Sequence, residues 1–297
     1  MDKILVTGGT GFFGLNFLKK LDKNIYLLGN KKILKKNNKQ IVFLDKINKK
    51  SLIKIIDTLN IKTIIHAAAI TDLEFAEKNK LITYNTNFRL TKTISDIVKL
   101  CNLKLVFIST DQLYDNPMGY SNERQKIKTQ NYYSFTKYLS ENYIKKNNNK
   151  YWIIRCSFFG WGTNYKKSLS DFIYTNLKKK IAINLWSNIF FNPIYVIELI
   201  DISLNITKYQ KGIYNIGSNK KISKLDFGIM IANEFNLDSS NIKSVNYENK
   251  ELIRPKDMSV DTKKIQKIFY NQNFHIKNQI KLLKHDFKIL RNKILKY

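Results

Sequence analysis

The sequence predicts an α/β fold in which a doubly wound parallel sheet carries a smaller, mainly C-terminal cap. Three observations predict it. Short apolar strands alternate with helix-period segments through the first half, four of the eleven glycines fall within residues 8–14, and the alternation loosens beyond Gly160. Taken in order, Ile4 to Thr7 reads as a strand, and Phe12 to Leu21 as a helix with apolar residues at helical spacing. Ile25 to Gly29 and Ile41 to Leu44 read as strands two and three. Leu52, Ile55, Ile56 and Leu59 mark a helix, and Thr63 to His66 opens a fourth strand. A long helical stretch runs to about Leu100, followed by the strand Leu103 to Ser109, the helix Tyr133 to Lys146 and the strand Tyr151 to Arg155. Phe190 to Val196 and Gly212 to Ile216 are expected to return to the sheet as late strands, and the Lys-Asn run Lys145 to Lys150 to be a solvated loop. Residues 1–160, with returning segments near 189–217, form the sheet unit. Residues 161–297, mainly 161–188 and 218–297, form the cap.

Composition narrows the function classes. The 297 residues include 52 Lys or Arg and 23 Asp or Glu, a formal charge of +29. Nucleic-acid binding is the obvious inference. However, the chain has 47 Lys against 5 Arg, with 42 Ile, 35 Asn and 6 Ala, the signature of A/T-rich codons. Nucleic-acid sites favour the planar fork of Arg, and the lysines here are spread along the whole chain. No nucleic-acid partner is expected. No apolar run approaches the roughly 20 residues that span a bilayer, so no membrane partner is expected either. The N-terminal Met-Asp-Lys-Ile-Leu-Val-Thr lacks the apolar core of a signal peptide, and the two cysteines, Cys101 and Cys156, suit a reducing cytoplasm. Three scattered His and two Cys leave no metal site.

The glycine cluster Gly8-Gly9-Thr10-Gly11-Phe12-Phe13-Gly14 directly follows the first strand and opens the first helix. A pyrophosphate needs close backbone approach at such a turn, which side-chain-free positions allow; the alternative is a plain strand–helix turn. Gly11 and Gly14 permit that approach and close helix–strand packing, so a dinucleotide is the expected cofactor. After the second strand the chain reads Asn30-Lys31-Lys32, with no carboxylate until Asp45. A carboxylate there would hold the ribose hydroxyls of NAD. Asn30, Lys31 and Lys32 suit a 2′-phosphate instead, which points to NADPH with NADH as the alternative, unless these are merely two of 47 lysines. Asp45 is a candidate for the adenine amine.

Tyr133 and Lys137 stand four residues apart on one helix face, where an ammonium lowers a phenol pKa that starts near ~10. That makes Tyr133 an acid/base for carbonyl–alcohol interconversion. The spacing alone is cheap, since Tyr174 and Lys178 share it. Position separates them: the helix of Tyr133 follows the strand ending Ser109-Thr110-Asp111, where Thr110 or Ser109 is expected to donate a hydrogen bond to the same carbonyl oxygen.

With these motifs in place, the chain resembles the extended short-chain dehydrogenases/reductases, and within them the dTDP-4-dehydrorhamnose reductases and their nucleotide-sugar relatives. The matching segments are the glycine motif; Ile65-His66-Ala67-Ala68-Ala69-Ile70-Thr71-Asp72 with Ala76-Glu77; Asn87; Ser109-Thr110-Asp111; Tyr133 to Lys137; Ile154-Arg155; Pro193-Ile194-Tyr195-Val196; and Arg254-Pro255-Lys256-Asp257. The resemblance implies a Rossmann-type sheet and a cytoplasmic NADPH-dependent reductase of a nucleotide-activated keto-sugar, of the 4-keto-6-deoxyhexose type. It would serve deoxysugar or surface polysaccharide biosynthesis, with a homodimer as one assembly.

The resemblance also assigns roles. Tyr133 is the proton donor, Lys137 binds the nicotinamide ribose and tunes Tyr133, and Thr110 polarises the carbonyl. Gly8, Thr10, Gly11, Phe12, Phe13, Gly14, Ala67, Ala68, Ala69 and Ser109 surround the cofactor, and Asn87 supports the site through its main chain or a water. Thr71, Asp111, Gln112, Phe158 and Arg254 face the substrate, with Arg254 at the phosphates or else a surface arginine fixed by Pro255. Two positions depart from the pattern: Gln112 stands where relatives carry Tyr, and Phe158 where a Trp is common. Gln112 also replaces the Glu that sugar 4,6-dehydratases use to move a proton, which disfavours elimination. Trp161, Trp186, Phe190 and Tyr195 are expected around the sugar, while His66 is expected to pack. The alternatives are an NAD-dependent nucleotide-sugar epimerase or dehydrogenase, and a non-catalytic nucleotide-binding regulatory protein of the same fold.

Overall fold

The computed structural model describes residues 2–20, 22–29, 40–44, 47–162, 167–248 and 251–287. Six strands, β1 (Lys3–Thr7), β2 (Ile25–Gly29), β3 (Ile41–Phe43), β4 (Ile61–His66), β5 (Lys104–Ile108) and β6 (Tyr151–Cys156), join Gly212–Ile216 in one sheet. The spatial order is Gly212–Ile216, β6, β5, β4, β1, β2, β3, and every pairing is parallel. The chain winds outward from β1 in one direction and from β4 in the other, so a crevice opens above their C-terminal ends, where ligands of such sheets bind. Thr7 pairs with His66 at that point.

Both faces of the sheet are covered, which is why its strands read as unbroken apolar runs rather than alternating ones. Val6, Ile65, Val106 and Ile154 point into one core, and Leu5, Ile64, Leu105 and Ile153 into the other. The first core continues without a break into the cap through Ile173, Leu185, Phe227 and Leu283. The cap itself pairs Ile183–Trp186 in parallel with Ile242–Val245, and helix Lys224–Glu234 packs on this pair. Trp161 is fully buried among Tyr174, Phe235 and Phe287, with ring centroids 5.0–5.8 Å away.

Three expectations are corrected. Gly212–Ile216 returns to the sheet, but Phe190 to Val196 does not. Phe190–Phe191 pairs antiparallel with Ile222–Ser223, Ile194–Tyr195 pairs in parallel with Phe158–Phe159, and Val196 begins a helix ending at Asn205. Pro193, lacking an N–H, splits the run. The first helix also ends sooner than expected, tightening from Phe12–Asn16 into a 3-10 turn at Phe17–Lys19. Finally, the Lys-Asn run at 145–150 is no solvated loop at its start. The helix Tyr132–Asn147 continues through it, Asn147 Nδ2 donates to Asp96 Oδ1 at 3.1 Å, and Asn148 is buried on Ser95.

Candidate active site

The glycine turn is built by contact. Gly8 sits at φ +73°, and a Cβ there would lie 2.9 Å from the backbone nitrogen of Ala68. A Cβ on Gly14 would lie 2.3 Å from the Gly8 carbonyl oxygen, so Gly14 lets the helix seat on the turn. A cavity of about 750 Å³ opens above it, within the usual range for cofactor sites. Gly8, Thr10, Gly11, Phe12, Phe13, Ala67, Ala68, Ala69 and Thr71 line it. Phe158 lines this cavity rather than the second pocket described below, stacked on Phe12 at 5.3 Å. Gly29, Asn85 and Thr86 also line it and were missed. Gly29 ends a strand without a recognisable motif, and Asn85 and Thr86 sit on a π-helical turn, Asn85–Arg89, that leaves no periodic signature. Asn30, Lys31, Lys32 and Asp45 lie outside the described residues.

The catalytic candidates lie on the helix Tyr132–Asn147 and in the turn after β5. Asn131 caps the helix Tyr132–Asn147 by accepting from Ser134 N at 2.9 Å, which sets Tyr133 and Lys137 in successive turns. Tyr133 is buried and packs with Leu73, Ala76 and, from the cap, Leu252. Burial raises its phenol above the ordinary value, and a hydrogen bond with Thr110 opposes that rise. Lys137 is buried as well. Its Nζ donates to the Ile108 carbonyl at 2.7 Å and lies 3.9 Å from the Phe107 ring centroid. Burial brings this ammonium down to about 7, against the pull of Glu141. Thr110 Oγ1 accepts from Gln112 N at 3.1 Å, which fixes the turn after β5. The Ser109 hydroxyl, expected at the cofactor, instead donates to Glu141 Oε1 at 2.5 Å.

Asn87 works as a clasp. Its side chain accepts from Ile70 N (2.8 Å) and donates to Ile70 O and Thr136 Oγ1 (3.0 Å each), tying the 67–71 wall to the helix of Tyr133. His66 packs, as expected: Thr7 and Thr91 hold its two ring nitrogens at 2.6 and 2.9 Å, and burial brings it down to about 3.

A second cavity of about 400 Å³ lies between the Thr110–Gln112 turn and the cap. Gln112, Arg254 and Trp186 line it, together with Lys224, which was missed among so many lysines. The Arg254 guanidinium sits 5.1 Å from the Trp186 ring and 5.5 Å from that of Tyr247, and pairs with Glu74 at 3.6 Å. Asp111 is buried beside the pocket. Burial raises its carboxyl, while Lys224 opposes the rise. Burial lowers the Lys224 ammonium, and the nearby Arg254 lowers it further. Trp161 and Tyr195 do not line this pocket: Trp161 fills the cap core, and Tyr195 hydrogen-bonds Asp286. Phe190 lies outside its lining too, 5.4 Å below Lys221 Nζ. Among the described residues no helix is long and apolar enough to cross a membrane, and no His/Cys/Asp/Glu group could hold a metal ion.

The chain is 22% identical over 282 residues to methionine adenosyltransferase 2 subunit beta of Xenopus tropicalis, covering 91% of this chain and 83% of that one. It is 26% identical over 247 residues to a dTDP-4-dehydrorhamnose reductase of Aggregatibacter actinomycetemcomitans, covering 79% of each. The crystal structure of dTDP-4-dehydrorhamnose reductase from Bacillus anthracis in complex with NADP superposes with a TM-score of 0.81 at 22% identity, covering 96% of this chain and all of that one. The RmlD substrate binding domain model matches residues 1–289, and the chain belongs to that family.

Proposed function

We propose that the protein is an NADPH-dependent reductase of a nucleotide-activated keto-sugar, of the 4-keto-6-deoxyhexose type, acting in deoxysugar or surface polysaccharide biosynthesis. The observation that carries this reading is the buried group Thr110, Tyr133 and Lys137 in a chain that also has a dinucleotide-sized cavity at its glycine turn and a second pocket lined by Gln112, Arg254 and Lys224. The reductase among the relatives supports it.

The residues present fit a dinucleotide. Gly8 and Gly11 keep side chains out of the turn where its phosphates would lie, and Ala67 to Ala69 form a low wall opposite. When bound, the cofactor supplies a hydride from nicotinamide C4. The protein's share is placement and proton transfer. Tyr133 stays protonated in its buried setting, as a proton donor to a carbonyl oxygen must. Thr110 shares a hydrogen bond with it and orients the same oxygen. Lys137 holds the ribose and places positive charge beneath the tyrosine. Arg254 and Lys224 hold the phosphates of the sugar nucleotide, with Trp186 as an apolar wall.

The test is NADPH oxidation with a panel of dTDP-, CDP-, GDP- and UDP-linked 4-keto sugars. Turnover that disappears in Tyr133→Phe is expected. Turnover without added reductant on copurified NAD would identify an epimerase, and nucleotide binding without any turnover a regulatory protein. Lys31→Glu with Lys32→Ala should reverse the preference for NADPH over NADH, and an unchanged preference would remove that assignment.

A further inference from the structure

The helix of Tyr133 carries a third buried ionisable residue that the mechanism above does not use. Glu141, fully buried, stands one turn beyond Lys137 on the same face. Its carboxylate accepts from Arg155 Nη2 at 2.6 Å, from Arg155 Nε at 3.0 and 3.1 Å, and from Ser109 Oγ at 2.5 Å. Arg155, itself 2% exposed, continues through Nη1 to Tyr114 Oη at 2.6 Å, and Tyr114 donates to Asn215 Oδ1 at 3.0 Å. One chain of bonds thus joins the catalytic helix to the turn after β5, to β6 and to the edge strand of the sheet.

Lys137 needs a counter-charge. A buried ammonium is costly unless it is paired, and among the described residues Lys137 makes no ion pair, only the bond to Ile108 O and the contact with the Phe107 ring. The ionisable groups around it are few. Tyr133 and Glu141 lie on its own helix, His66 on β4, Asp111 after β5, and Cys156 and Arg155 on β6. Burial keeps Tyr133, Cys156 and His66 uncharged, and Asp111 faces Lys224. Glu141 is the remaining negative charge.

We propose that Glu141, pinned by Arg155 and Ser109, is a positioning residue for Lys137: a counter-charge held at a fixed distance instead of in contact. The arrangement explains why the carboxylate is saturated by donors from two strands. A direct salt bridge would consume the N–H groups of the ammonium, whereas a pinned charge stabilises it and leaves those donors for a ribose hydroxyl. Arg155 in turn pairs with the Glu141 carboxylate where water does not reach it. The proposal rests on the reading of Lys137 as a ribose-binding, tyrosine-supporting residue.

The experiment measures NADPH affinity against pH in the full-length protein, with turnover on any active 4-keto sugar as a second readout. Lys137 acts as a cation, so affinity falls as pH rises through its titration. In Glu141→Gln that falling limb should move down by about one pH unit, a loss of about tenfold in affinity at a fixed pH on the limb. Ser109→Ala removes a donor but no charge and should leave the limb in place. If Glu141→Gln does not fold, the double variant Glu141→Gln with Arg155→Gln removes both buried charges, with no change in net charge, and should displace the limb in the same direction by a smaller amount. A folded variant of either kind with an unmoved limb overturns the proposal, as does an equal displacement in Ser109→Ala. Lys137→Ala separates the underlying reading: full affinity and turnover there would overturn the role of Lys137 itself.

Discussion

Replacing Gly14 and Gly11 separately by alanine divides the glycine turn into its structural and its ligand-facing halves. At Gly14 the added carbon would meet backbone atoms only, the Gly8 oxygen at 2.3 Å, the Gly9 Cα at 2.5 Å and the Gly9 carbonyl carbon at 2.8 Å, none of which can rotate away. The helix and the turn must therefore part by roughly 1 Å to restore an ordinary contact distance. Overpacking of this kind costs about 3 kcal/mol, and the better helix propensity of Ala returns about 1 kcal/mol. The net loss of about 2 kcal/mol lowers the melting temperature of the ligand-free protein, at 297 residues, by about 3 °C. Gly11 differs. Its backbone is ordinary (φ −84°), the nearest atom to an added Cβ is the Gly8 oxygen at 3.2 Å, and it lines the large cavity. Gly11→Ala should therefore melt within about 2 °C of the parent, since an alanine cap is poorer than a glycine cap by only about 1 kcal/mol, yet bind NADPH at least about tenfold more weakly. Calorimetry of the ligand-free proteins and a dinucleotide titration read the two effects independently. A Gly14→Ala protein as stable as the parent, or a Gly11→Ala protein with undiminished NADPH affinity, would refute the reasoning.

Trp161→Ala empties a fully buried site and removes the Nε1 donor to Leu283 O at 2.9 Å; chemical denaturation should show a loss of about 3–5 kcal/mol with little change in NADPH affinity. His66 is buried neutral and reaches about 3 against an ordinary 6.5, so the unfolded chain binds its proton first. Its contribution to stability is full above about 6.5 and is lost as pH falls toward 3, by at most about 5 kcal/mol. Asp111, raised by burial, acts in the opposite sense, so the measurement is the difference in acid unfolding between the parent and His66→Gln. That difference should grow below pH 6.5, and parallel curves would contradict it. Arg254→Ala should raise KM for the sugar nucleotide by about tenfold and leave NADPH affinity unaltered, and a loss confined to NADPH would place Arg254 elsewhere.

The central sheet was legible because its strands are buried on both faces and flanked by turns, leaving short apolar runs such as Ile4 to Thr7 with one reasonable reading. Gly8 and Gly11 were legible as residues of the large cavity because they follow β1 directly, and the helix that carries Tyr133 and Lys137 was legible from its place between β5 and β6. What escaped is set by partners remote in the chain. Phe190 to Val196 has the apolar content of a central strand, and only Pro193 and the positions of Ile222 and Phe158 decide that it bridges the cap instead. Trp161 reads as a ligand wall until Tyr174, Phe235 and Phe287 are seen around it. Composition misled at Asn147 and Asn148, whose amides face Ser95 and Asp96 instead of water. Lys224 was invisible for a statistical reason, one lysine in 47, although it occupies the pocket beside Arg254.

The place of Gly212–Ile216 in the sheet bears on how the protein is made. This strand seats on β6 only after the chain has passed through helix Leu169–Lys178 and the strand Ile183–Trp186 of the cap. A chain emerging from a ribosome, or one cut at Gly160, therefore presents β6 as a bare edge, with Trp152 and Ile154 lacking their strand partner and the Arg155–Tyr114 pair without its bond to Asn215. Two halves divided at Gly160 should not be expressible as separate soluble pieces, and productive folding has to wait until Ile216 is available to close the sheet.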